Sequence, residues 1–62
     1  MTAKQVEKII KADGWCQVRS SGSSHRQYEH PTKKGKVTIP FHKGDLPRGT
    51  LKSILTQAGL KY

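Results

Sequence analysis

Apolar residues recur at helical intervals near the start of the chain. These apolar positions are Val6, Ile9 and Ile10. Thr2 and Gln5 have the spacing of a capping box, which predicts a helix that begins after Thr2, and Asp13-Gly14 predicts its end. We therefore expect an amphipathic helix of about three turns.

A second helix is predicted near the end of the chain. It follows Leu46-Pro47, because proline suits the first turn of a helix. Its apolar face consists of Leu51, Ile54, Leu55 and Ala58. Gly59 followed by Leu60 fits a C-terminal cap in which the residue after the glycine packs back on the helix.

Three segments between the helices have the composition or alternation of β-strands. They are Trp15 to Arg19, His25 to His30 and Lys36 to Phe41. A serine-rich loop over residues 20–23 separates the first two, and a turn over residues 31–35 separates the second and third. Pro40 cannot donate a ladder hydrogen bond, so the third strand should end there or lie at a sheet edge.

The predicted element order is α-β-β-β-α, in a single α+β domain over residues 1–62. Short connections favour an antiparallel three-stranded sheet with both helices on one face. Tyr28 should point toward the helices, together with Val37, Ile39 and Phe41. The period of two then places His25, Gln27 and Glu29 on the opposite face of the sheet, which the helices leave open to solvent. It also sends Arg26 and His30 toward the helices, with polar tips that should escape near the strand ends.

The charge balance is strongly positive. Twelve Lys and Arg residues face four Asp and Glu residues, which gives a formal net charge of +8 in 62 residues. Solubility does not require this imbalance, whereas phosphate binding benefits from it through counterion release. Nucleic acid is therefore the leading partner. An anionic membrane would favour one basic amphipathic helix, and an acidic protein partner also fits.

The single cysteine, Cys16, excludes an internal disulfide and a cysteine-built zinc site. No apolar run approaches membrane-spanning length, and the N-terminus lacks the apolar stretch of a signal peptide. We expect a cytoplasmic protein.

His25 lies where the loop Gly22-Ser23-Ser24 meets the second strand. Such a junction fixes the base of a side chain and leaves its tip open to a large substrate. An imidazole there can take a proton from a ribose 2′-hydroxyl or give one to a leaving oxygen. A flexible hairpin loop without a catalytic role explains the same residues equally well.

Basic and small polar residues around this junction form a predicted RNA-binding set. Its members are Gly22, Ser23, Ser24, Arg26, Lys33, Lys34, Lys36, His42, Lys43 and Arg48. A solvated surface explains any single lysine as well, but the net charge favours binding by the set.

No metal site or cofactor is expected. The three histidines, His25, His30 and His42, lack the spacing of a zinc ligand set. The four carboxylates are scattered, which disfavours a two-magnesium centre. His30 precedes a proline at the strand end and is predicted to be structural or a hydrogen-bond partner.

Several motifs follow one another in a distinctive order. The strongest are Gly-Ser-Ser-His at 22–25, His-Pro at 30–31 and Leu-Lys-Ser-Ile-Leu-Thr-Gln-Ala-Gly-Leu at 51–60. In this combination, over essentially the whole chain, they resemble the HicA toxins of bacterial and archaeal toxin–antitoxin pairs. The resemblance implies a compact double-stranded-RNA-binding-domain-like fold, mRNA-cleaving ribonuclease activity and a HicB antitoxin encoded beside the toxin. It places the catalytic histidine of the family at His25.

The leading prediction is a metal-independent endoribonuclease, the toxin of a type II toxin–antitoxin system. His25 is the general acid or base, and water or His42 carries the second proton. A HicB-like antitoxin should cover the His25 face, and the chain alone should be monomeric. The alternative is a non-catalytic basic RNA-binding module in which His25 is only a contact residue.

Overall fold

Two helices flank three strands in the computed structural model, which describes residues 1–21, 25–41 and 43–61. The elements are α1 (Ala3–Ala12), β1 (Cys16–Ser21), β2 (His25–Glu29), β3 (Val37–Pro40) and α2 (Arg48–Gln57). The strands form one antiparallel sheet in the order β1-β2-β3, so β1 and β3 are its edges. The predicted α-β-β-β-α order is confirmed.

The predicted capping box begins α1. The Thr2 hydroxyl accepts a hydrogen bond from the Gln5 backbone N–H at 3.2 Å, and the Gln5 side-chain oxygen accepts one from the Thr2 N–H at 2.8 Å. The two side chains thus satisfy two N–H groups that the helix leaves without partners. The second helix, α2, begins directly after Leu46-Pro47, as predicted, but Pro47 is its N-cap residue rather than part of its first turn and makes no side-chain cap.

Both helices end in a Schellman motif with glycine after the cap residue. Its backbone donor–acceptor pairs are Gly14–Lys11 (3.0 Å), Trp15–Ile10 (3.1 Å), Gly59–Thr56 (3.0 Å) and Leu60–Leu55 (2.8 Å). Because the Trp15 N–H caps α1, Trp15 does not begin the first strand as predicted, and β1 starts at Cys16 instead.

The strand limits differ from the sequence prediction at several ends. Ser20 and Ser21, predicted to lie in a loop, belong to β1 because they pair with Arg26 and His25 of β2. A register shift between residues 17 and 19 leaves Val18 about half exposed. β2 ends one residue before His30, and β3 is one residue shorter than predicted at each end.

One apolar core fills the space between the sheet and the helices. Its buried members are Ala3, Val6, Ile10, Trp15, Tyr28, Val37, Ile39, Leu46, Leu51, Ile54, Leu55 and Ala58. Tyr28, Val37 and Ile39 share one face of the sheet, so both helices cover that face, as predicted. Phe41 and Leu60 pack against the core edge, whereas Ile9 is 38% exposed and does not join it.

Within the described ranges, neither helix is long and apolar enough to cross a membrane.

Candidate nucleic-acid interface

His25 is the first residue of β2 and is exposed to solvent. It pairs with Ser21 on one side and with Pro40 on the other, so the sheet holds its backbone from both neighbouring strands. Tyr28 lies three positions later and is buried under the helices. An odd offset along a strand reverses the face, so His25 points away from the helices, as predicted.

The sheet face that the helices leave uncovered is called the open face here. Its described members on β2 and β3, together with the first residue of β1, are Cys16, His25, Gln27, Glu29, Thr38 and Pro40. His25 and Glu29 mark its two ends along β2, about 13 Å apart at the usual rise of a strand. The described part of the molecule has no enclosed pocket.

Lys43 and Arg48 follow β3 in the chain. Lys43 comes three residues after Pro40, the strand partner of His25, and is exposed. Arg48 is the exposed first residue of α2. Lys43 is therefore the described lysine that lies nearest in the chain to the His25 end of β3.

The basic turn between β2 and β3 lies at the other end of the sheet. β2 runs from His25 to Glu29 before the turn begins, so the turn lysines are separated from His25 by the length of this strand. Lys34 and Lys36 are exposed, and the Lys36 ammonium lies 3.7 Å from the Glu29 carboxylate. The structure thus places Lys34 and Lys36 away from His25, at the opposite end of β2.

Lys33 does not extend from this turn into solvent. Its ammonium group lies 2.5 Å from the Asp13 carboxylate and donates to the Ala58 carbonyl oxygen at 3.0 Å. The hydrogen bond from Lys33 lowers the pKa of Asp13. Lys33 thereby ties the turn to the C-terminal ends of both helices.

His30 organises the same turn, which confirms its predicted structural role. Its Nδ1 accepts hydrogen bonds from the backbone N–H groups of Thr32 and Lys33, both at 3.1 Å. This pattern assigns the proton to Nε2, which donates to the Asp13 carbonyl oxygen at 2.8 Å. The ring also meets the Trp15 indole edge-on, with centroids 5.2 Å apart.

Arg26 lies on the helix side of the sheet, opposite His25. Its guanidinium carbon is 4.0 Å from the centroid of the Phe41 ring, and Nη1 is 3.3 Å from a Glu7 oxygen. Its tip is therefore bound within the molecule rather than turned to the open face. The predicted contact of Arg26 with RNA stays a prediction, while the structure gives the residue another set of partners.

Glu7 joins α1 to β2 and was not identified from the sequence. It accepts a short hydrogen bond from the Tyr28 hydroxyl, and Lys11 lies 3.6 Å away. Burial opposes ionisation of Glu7, but the bond from Tyr28 and the nearby cations outweigh it, so the pKa of Glu7 is lowered. Burial and the bond to Glu7 raise the pKa of Tyr28. Nothing in the sequence around Glu7 indicates that its carboxylate contacts a strand.

Four members of the predicted site lie outside the described residues. They are Gly22, Ser23, Ser24 and His42. Their predicted contacts with RNA, and the predicted proton transfer by His42, stay predictions. Among the residues that the structure describes, no group of three or more His, Cys, Asp and Glu side chains could hold a metal ion.

The chain was compared with known families and solved structures. Residues 3–60 match the family model described as HicA toxin of bacterial toxin–antitoxin. A chain of a structure described as a toxin–antitoxin complex from Streptococcus pneumoniae is 35% identical and superposes with a TM-score of 0.80, covering 97% of this chain and 98% of that one. No curated protein matches this chain. With a family match over nearly its whole length and a structural relative at this identity, the chain belongs to the HicA family of toxins from bacterial toxin–antitoxin systems.

Proposed function

We propose that this HicA family member is a metal-independent endoribonuclease that cleaves mRNA, with His25 as general acid or base. The observation that carries the proposal is the position of His25, exposed on the open face and held by a strand on each side. A rigid backbone beneath an accessible imidazole is what proton transfer to a large substrate requires. Membership in a toxin family supports the same conclusion.

The reaction begins with attack of a ribose 2′-oxygen on the adjacent phosphorus. The bond to the 5′-oxygen then breaks, which leaves a 2′,3′-cyclic phosphate and a 5′-hydroxyl end. His25 takes the proton from the 2′-hydroxyl or gives one to the leaving 5′-oxygen, and water or His42 carries the other. Cations stabilise the extra negative charge on the phosphorane, and we assign this role to Lys43, which is exposed and follows Pro40, the strand partner of His25, by three residues.

The placement of the acidic side chains supports a mechanism that uses no metal. Each of the four carboxylates already lies within 4 Å of a cation. The pairs are Glu7–Lys11 (3.6 Å), Asp13–Lys33 (2.5 Å), Glu29–Lys36 (3.7 Å) and Asp45 with the N-terminal ammonium (3.4 Å). Two-metal hydrolysis needs several carboxylates that converge on one point, and these four point to four different cations.

RNA binding in this proposal depends on the exposed cations that precede and follow β3 in the chain. They are Lys34, Lys36, Lys43 and Arg48. The Lys36–Glu29 pair is exposed and holds its partners weakly, so phosphate can displace it. Contacts of this kind recognise the RNA backbone and its shape more than its bases.

An antitoxin that covers the His25 face is the proposed partner. The relative from Streptococcus pneumoniae comes from a toxin–antitoxin complex, and the net charge of +8 on this chain favours an acidic partner. The toxin acts on mRNA in the cytoplasm, as a monomer until the antitoxin binds. Adding the antitoxin should abolish RNA cleavage and RNA binding together. Retained RNA binding in the complex would contradict coverage of this face.

The experiment that tests the proposal is cleavage of RNA in EDTA by the purified chain and by His25→Ala, with RNA affinity measured in parallel. Gln57→Ala, an exposed substitution on α2, controls for contaminating nucleases. We expect cleavage by the natural chain and by Gln57→Ala. His25→Ala should bind RNA and leave it intact. Equal cleavage by all three would exclude His25 as the acid or base, and binding without cleavage by any would favour the RNA-binding module.

A further inference from the structure

His25 lies at the end of the described pairing between β2 and β3. Its partner is Pro40, the last residue of β3. Proline has no N–H, so Pro40 donates no hydrogen bond to a neighbouring strand. The described pairs between β2 and β3 end here, so a side-chain contact between the two strands adds to what holds them at this end.

A side-chain contact on the helix side spans this pair. Arg26 is paired with Ile39, and Phe41 lies two residues beyond Ile39 on β3's continuation, so Arg26 and Phe41 are diagonal neighbours. The guanidinium carbon lies 4.0 Å from the centroid of the Phe41 ring, which is the geometry of a cation–π contact. The contact therefore joins the residue after His25 to the residue after Pro40.

Glu7 keeps the guanidinium in place. Its carboxylate lies 3.3 Å from Arg26 Nη1 and is only 13% exposed, so the solvent screens this pair weakly. The Tyr28 hydroxyl donates to the same carboxylate oxygen. The guanidinium is thus held between an aromatic ring at the sheet end and a carboxylate that belongs to α1.

We propose that Arg26 and Phe41 are positioning residues for His25: their contact joins β2 to the end of β3 beside the His25–Pro40 pair, and so fixes the His25 backbone for proton transfer. This inference rests on the proposed role of His25 in RNA cleavage. It requires arginine, because a lysine ammonium offers no planar group to stack on the ring while it pairs with Glu7. It also assigns Arg26 a role other than direct contact with RNA.

Kinetics of RNA cleavage distinguish positioning from binding. Arg26→Met and Phe41→Leu should each lower kcat by about 10-fold to 100-fold and leave KM unchanged. Phe41→Tyr keeps a ring and should restore kcat. Lys34→Met removes an exposed cation and should instead raise KM at unchanged kcat. If Arg26→Met raises KM as Lys34→Met does, or leaves kcat unchanged, the positioning role is wrong.

The double variant tests whether the two side chains act as one unit. Because both substitutions break the same contact, Arg26→Met with Phe41→Leu should lower kcat no further than either alone. If the double variant lowers kcat by the product of the two single losses, the proposal is wrong. The indole N–H signal of Trp15, which is buried and hydrogen-bonded to Ala58, reports the folded fraction in every variant. Arg26→Lys, which keeps the charge near Glu7, serves if Arg26→Met does not fold.

Nuclear magnetic resonance of the His25 ring gives a measurement that needs no activity. In Arg26→Met and Phe41→Leu we expect shifted or broadened His25 ring and amide signals, an unchanged Trp15 indole signal, and recovery in Phe41→Tyr. Unchanged His25 signals would overturn the proposal. If the natural chain does not cleave RNA, the proposed function fails, and these spectra still decide whether Arg26 and Phe41 hold His25.

Discussion

Gly14 and His30 show how single residues fix the corner where α1 meets the sheet. Gly14 has a φ of +111°, and a Cβ atom on it would lie 2.7 Å from His30 Nε2. Only glycine allows the chain to turn there and leaves room for the ring that organises the β2–β3 turn. The sequence predicted the helix end at Gly14, but the close approach of a histidine 16 residues away has no local signal.

Substitution of Gly14 separates steric overlap from backbone strain. Gly35 also has a positive φ, +87°, but has open space around it. Gly35→Ala should lower the free energy of unfolding by about 1 kcal/mol through strain alone. Gly14→Ala should cost about 2 kcal/mol more, because it also displaces His30. If urea unfolding gives the same loss of unfolding free energy for Gly14→Ala and Gly35→Ala, the His30 ring moves aside without cost.

The elements are held together by polar links as well as by the core. Glu7 of α1 binds the Tyr28 hydroxyl and the Arg26 guanidinium of β2. Its pKa is lower in the folded chain than its ordinary value of 4.5, so the unfolded chain binds a proton more readily. The link therefore stabilises the fold fully above about pH 4.5 and is lost as the pH falls through the lowered pKa.

A pH series of unfolding measurements tests this link. The free energy of unfolding of the natural chain should fall as the pH drops below about 4.5. Glu7→Gln removes the titrating group and should flatten that fall. Tyr28→Phe removes one of the bonds that lower the pKa of Glu7 and should flatten it in part. The same acid slope in all three proteins would contradict a stabilising role for Glu7.

Local signals predicted the elements well, and contacts between distant residues explain where the prediction was incomplete. The capping box of α1 and the inward position of Tyr28 follow from neighbouring residues or from the period of two, and both were predicted. The partners of Arg26 and Lys33 lie 15 to 25 residues away along the chain. Both were assigned to RNA binding because composition shows charge but not which charges are already paired.

Some cations of the molecule are paired with carboxylates, and others are exposed and available to bind phosphate. The four carboxylates engage cations at four separate places. Exposed cations remain before and after β3 in the chain and also on α1, which packs on the helix side of the sheet. If RNA lies on the open face, only the first group should contribute to binding.

The salt dependence of RNA affinity tests which side of the molecule binds. Lys43→Gln should weaken binding and reduce the slope of log affinity against log salt by about 0.7, the value for one contact with single-stranded RNA. Lys4→Gln removes an equal, exposed charge from α1 and should leave the slope unchanged. If Lys4→Gln reduces RNA affinity and the salt slope as much as Lys43→Gln does, RNA binds elsewhere or over the whole surface.

The chemistry of the new RNA ends tests the central claim most directly. RNA cut by the natural chain in EDTA should carry 5′-hydroxyl ends, which a polynucleotide kinase labels without prior phosphatase treatment, and 2′,3′-cyclic phosphates. These ends are the products of attack by the 2′-oxygen with proton transfer by His25. Ends with a 5′-phosphate would mean that water attacks the phosphorus, and would contradict the mechanism proposed for the open face.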